Sequence, residues 1–158
     1  VLNLNLFILR NLRVPSDLPA AAFLAHGALR LSANDAAYAP LWEEQLGTHW
    51  REPGQPAFSW PALATERERA AAWAALDAVV ALAYGMSRDQ YAYILAAQAE
   101  GWPGAAAQCL ACFDAIQAQG LAAFMAAHDP YHDLPLVDAL PQPVLDAPAV
   151  LSPAGRAS

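Results

Sequence analysis

The chain has 158 residues, a formal charge of -7 and 57% hydrophobic residues, much of the last being alanine. That length is enough for one domain with a core of its own, and alanine-rich sequence favours helix. All eight basic residues are arginine and the pI is about 4.8, the wrong sign for a stand-alone nucleic-acid binder with a basic face. Arginines or prolines interrupt every apolar run before it reaches bilayer length, and no signal peptide is recognisable. Two cysteines close together in sequence are not a secreted disulfide framework, so a cytoplasmic location is expected.

The expected fold is mainly α: a helical bundle built on an α-hairpin, with an N-terminal extended strand and a proline-rich C-terminal strap. Three regions follow, a strand over 1–15, a helical domain over 16–128 and an extended tail over 129–158. The chain opens at Val1 on strongly apolar residues, as a piece of a longer protein would. Leu2, Leu4, Leu6 and Ile8 alternate with Asn3, Asn5, Phe7 and Leu9, the pattern of a strand with one buried face. Such a strand needs partners. Val14-Pro15 ends it. Ser16 or Asp17 caps a helix with Pro19 in its first turn, which runs through Phe23, Leu24, Ala28 and Leu31 to about Ser32. Asn34 or Asp35 caps the next, which carries Tyr38, Leu41, Trp42 and Leu46 and ends at Gly47. Residues 48–64 read as a loop rich in proline.

The hairpin occupies about 65–84 and 88–100. Trp73, Leu76, Val80 and Ala83 have the spacing of a buried helical face. Gly85 ends that helix in the left-handed conformation. Ser87 caps its successor, with Gln90 completing a capping box and Met86 and Tyr91 at staple positions. Tyr91, Ile94 and Leu95 continue the apolar face. A further helix runs from about Ala105 to Gln119, with Leu110, Phe113 and Ile116 on one face. Gly120 interrupts it, and Leu121 to His128 form one more segment. Six prolines from Pro130 to Pro153 then block regular structure, while Leu134, Leu136, Val137 and Leu140 keep the tail apolar.

Few constellations carry chemistry. Cys109 and Cys112, with His128 and His132, fit the spacing of a tetrahedral zinc site. The cysteines lie in an alanine-rich helix and Pro130 separates the histidines, so zinc is the weaker alternative and the expected metal content is none. Glu66, Arg67, Glu68 and Arg69 crowd a helix start, where carboxylates favour the dipole and the charges pair among themselves. Asp129, His132 and Asp133 have no nucleophile elbow near them in sequence. No phosphate loop, dinucleotide fingerprint or His-Glu-x-x-His occurs. Asn3, Asn5, Arg10, Asn11 and Arg13 form the best polar cluster for DNA, since arginine reads guanine edges or phosphates and asparagine reads adenine.

Three segments resemble a known family: LNLNLFILRNLRVP from Leu2, LDAVVALAYGMSRDQYAYIL from Leu76 and, less closely, DPYHDLPLVDALPQPVLD from Asp129. They are similar to the C-terminal region of large bacterial restriction-modification enzymes with an N6-adenine DNA methyltransferase core, the combined type II methylase/restriction class. Met86 stands where that signature has leucine. The resemblance covers roughly residues 1–96 and part of the tail, and residues 97–128 match nothing in it. It implies a parent protein that binds S-adenosylmethionine and flips adenine into a pocket built around an Asn-Pro-Pro-Tyr-type motif. This chain has neither that motif nor a cofactor loop. It would then be an accessory part that supports target recognition, inactive alone, with no cofactor of its own. DNA would be its partner through the parent, and the missing N-terminal catalytic domain its neighbour. The alternative is a non-enzymatic helical module that docks on another protein.

Overall fold

The computed structural model describes residues 20–47, 60, 62–97 and 104–134, and among these residues the chain is helical with no strand. The order is α1 (Ala21–Ser32), a 3-10 turn (Ala36–Tyr38), α2 (Ala39–Leu46), α3 (Glu66–Ala83), α4 (Arg88–Ala97), α5 (Ala105–Gln119) and α6 (Leu121–His128). The predicted N-terminal strand and most of the proline-rich strap lie outside the described residues. No helix among those described is long and apolar enough to cross a membrane.

Local chemistry sets the boundaries. Asp35 caps the 3-10 turn by accepting from the Ala37 N–H at 2.7 Å. Asn34, the other candidate cap, instead pairs with the Leu63 backbone, donating to its carbonyl at 3.0 Å and accepting its N–H at 2.9 Å. Pro40 in the first turn of α2 is compatible with a helix start. Thr65 and Glu68 form a full capping box at the start of α3. Ser87 and Gln90 repeat the exchange before α4, with the Ser87 N–H donating to Gln90 Oε1 at 2.9 Å and the Gln90 N–H donating to Ser87 Oγ at 3.2 Å. Between the two helices Gly85 takes φ +68°, where a side chain would be strained.

The main core gathers α1, α3, α4, α5 and α6. It is built from Phe23, Ala74, Ala75, Ala78, Val79, Tyr91, Leu95, Cys109, Phe113, Ile116 and Phe124. A smaller cluster of Ala33, Trp42, Leu46, Tyr131 and Leu134 closes the end where α2 sits. Trp42 is fully buried there, and its indole N–H donates to the Ala33 carbonyl at 2.9 Å. Tyr131 and Leu134 thus begin the residues after α6 as core residues rather than as a free tail.

Two expectations need correction. Of the residues expected on the buried face of α3, Leu76 packs against the core, but Trp73 and Val80 do not. Trp73 is 47% exposed and Val80 36%, while Ala74, Ala75, Ala78, Val79 and Ala81 are buried. Helix α5 packs closely along α3, and a face of small side chains permits that approach, whereas a large indole would hold the axes apart. In α4 likewise, Tyr91 and Leu95 face the core but Ile94 is 38% exposed. Second, α3 and α4 are joined by a tight turn but each packs mainly on α5, which therefore forms the centre of the bundle.

Candidate functional site

The junction of α1 with the end of α6 holds the most unusual polar arrangement among the described residues. His26 is fully buried on α1, one turn after Phe23 and beside Gly27. Asp129, the residue that follows α6, is 2% exposed. His26 Nδ1 lies 2.7 Å from Asp129 Oδ2. A carboxylate only accepts, so the Nδ1–H donates. Asp129 Oδ1 accepts the Tyr131 N–H at 2.9 Å, which shapes the turn leaving α6. Arg30, one turn after His26, donates to the His128 carbonyl at 3.2 Å and satisfies an orphan acceptor at the helix end. The Tyr131 ring meets the His26 ring edge-on at 6.2 Å between centroids. Burial pushes the Tyr131 phenol up to about 12, with Arg30 opposing and the Asp129 charge adding to the rise.

This is the geometry that orients a general base, yet the reacting atom is out of reach. His26 Nε2 is buried with no hydrogen-bond partner. The adjoining cavity, lined by Gly27, Arg30, Leu76 and Asp129 among others, measures about 10 Å³ and does not include His26. That is room for one water, not a substrate. The pair ties the first described helix to the last.

Among the described residues no three His, Cys, Asp or Glu side chains come together as a group that could hold a metal ion. Cys109 is buried in the core, and burial raises its thiol, as it does that of half-buried Cys112. Thiols so placed are poor nucleophiles. His128 Nδ1 bonds the Phe124 carbonyl at 2.8 Å and its ring stacks on Phe124 at 4.0 Å. His132 turns to the Asp129 carbonyl at 3.2 Å.

The charged start of α3 is structural. Glu68 completes the capping box, and Arg69 donates to the Leu31 carbonyl at 3.1 Å, tying α3 to the end of α1. Asp77 accepts from the Tyr91 hydroxyl at 2.7 Å; burial, followed by this bond, raises the phenol. The DNA-contact candidates Asn3, Asn5, Arg10, Asn11 and Arg13 all lie outside the described residues.

Sequence reasoning passed over His26 and its tie to Asp129. The available signal was a histidine three residues after Phe23 and five before Leu31, on the buried side of α1.

At the turn between α3 and α4 the surface opens into a groove of about 680 Å³ lined by Gly85, Met86, Asp89, Gln90, Tyr93 and Ile94 among others. Tyr93 is 79% exposed.

Comparison with known protein families, curated proteins and solved structures finds no match to the chain.

Proposed function

We propose that this chain is a C-terminal accessory part of a DNA adenine N6-methyltransferase from a restriction-modification system. It supports target recognition and carries no catalytic motif itself. The observation that carries the reading is the resemblance over Leu76 to Leu95. That segment spans the C-terminal part of α3 from Leu76, the turn at Gly85 and most of α4. Gly85, Ser87 and Gln90 account for the turn by backbone conformation and reciprocal capping. In this reading the helices form a rigid body beside the catalytic domain, DNA is contacted from Arg10, Asn11 and Arg13 with Asn3 and Asn5, and S-adenosylmethionine belongs to the parent alone. The acidic balance of the chain suits a supporting body better than a face laid on phosphates. The coding sequence upstream of Val1 tests it: an Asn-Pro-Pro-Tyr or Asn-Pro-Pro-Phe tetrapeptide after a strand and a glycine-rich turn is expected, and an unrelated upstream domain contradicts it.

A second reading, a non-enzymatic helical interaction module, is favoured by the exposed aromatic groove at the α3–α4 turn. It predicts no DNA affinity even at low salt, where phosphate contacts are strongest.

A further inference from the structure

The groove at the α3–α4 turn combines apolar surface with a single charged side chain. Tyr93, Ile94 and Met86 supply the apolar wall and Asp89 is its one charged lining residue. Asp89 sits in the first turn of α4, where the helix dipole favours it, and the neighbouring Arg88 charge also acts on it. Its neighbour Arg88 is committed elsewhere: its guanidinium donates to both carboxylate oxygens of Asp114 on α5, at 2.7 and 2.9 Å. Asp77 on α3 is held by the Tyr91 hydroxyl. The local balance is therefore negative, in a chain of net charge -7.

That balance decides between occupants. An anionic ligand meets the Asp89 charge, while the nearby Arg88 is held by Asp114. A purely apolar segment would strip water from the Asp89 carboxylate and leave it unpaired, at the desolvation cost of a buried charge. A second copy packed face to face would bring one Asp89 towards another, and like charges in an interface oppose association. A cationic side chain instead pairs with Asp89 and lies on the exposed face of Tyr93, whose ring quadrupole attracts it. Apolar residues on either side of that cation would cover Ile94 and Met86. We propose that this groove is a docking site for a partner-protein segment that carries an arginine or lysine between apolar side chains. The inference does not depend on the methyltransferase reading.

The test is a titration of the nitrogen-15-labelled chain, followed through its backbone amides. The probes are two capped tetrapeptides, Leu-Arg-Leu-Val and its counterpart Leu-Glu-Leu-Val. The arginine probe is expected to shift amides from Gly85 to Ile94 saturably, and the glutamate probe to bind at least about tenfold more weakly. Asp89→Asn should weaken the arginine probe about threefold to fivefold and Tyr93→Ala about fivefold to tenfold. Both side chains are exposed, so an unchanged helical circular dichroism spectrum is expected for both variants. Equal binding of the two probes, no saturable shift with either, or concentration-dependent self-association through these amides would each overturn the proposal.

Discussion

His26 Nδ1 lies 2.7 Å from Asp129 Oδ2 across 103 residues of sequence, with both side chains buried. The bond joins α1 to the end of α6 and, through the Asp129 contact with the Tyr131 N–H, leads the chain into the cluster around Trp42. Asp129→Ala would strand two buried donors and should cost about 3 kcal/mol in urea unfolding. Pairing it with His26→Leu should cost less than the sum of the single losses, because the second change removes a donor the first has orphaned. Additive losses would show that the two residues act independently.

The start of α3 makes a pH-dependent prediction. The Thr65 N–H and hydroxyl both donate to Glu68, at 2.8 and 3.0 Å, and hold its carboxyl below the ordinary value of 4.5. A carboxyl lowered in the folded state contributes stability that is present above its unfolded value and lost as pH falls through its folded one. Thr65→Ala should cost about 1 kcal/mol near neutral pH. The gap from the parent chain should narrow as unfolding is repeated at pH values falling from about 7 through the folded-state value of Glu68, which lies below 4.5.

Gly27 is needed for space. A Cβ built there would stand 2.5 Å from Leu76 Cδ2 and 2.9 Å from Cδ1. Alanine would gain about 1 kcal/mol in helix propensity but overpack the contact by about 1–3 kcal/mol. Gly27→Ala should therefore lower stability by about 1 kcal/mol. With Leu76→Ala as background the clash disappears, and the same change should stabilise. A loss of equal size in both backgrounds would place the cause elsewhere.

Two tyrosines should resist ionisation. Burial holds the Tyr131 phenol up to about 12, and burial with the Asp77 bond raises Tyr91 further. A phenol raised in the folded state contributes stability that is full below its unfolded value, 10.0, and is lost as pH rises through its folded value. Replacing both by phenylalanine should leave the phenolate absorbance developed by about pH 11 unchanged while helix persists. A smaller signal in the double variant would mean that one of them ionises in the folded chain.

Much of the fold was legible because local signals agreed. The boundaries of α5 and α6 follow from Gly120 and the apolar spacing of Phe113 and Ile116, and the turn at Gly85 from capping chemistry that acts within a few residues. The face of α3 was not legible. Periodicity weights large residues, so it selected Trp73 and Val80, whereas close packing on α5 selected the alanines. The His26–Asp129 tie was invisible for a different reason: its members are distant in sequence, and neither forms a motif. The spacing of Cys109, Cys112, His128 and His132 measures distance along the chain alone, while α5 turns Cys109 into the core and α6 turns His128 onto Phe124.

The most direct measurement is methyl transfer by the complete product of the reading frame, using tritiated S-adenosylmethionine and DNA, with and without this 158-residue region. The account predicts that the complete protein methylates adenine at N6 and that removing the region abolishes site-specific transfer. No adenine methylation by the complete protein, or unchanged rate and site choice without the region, would contradict it.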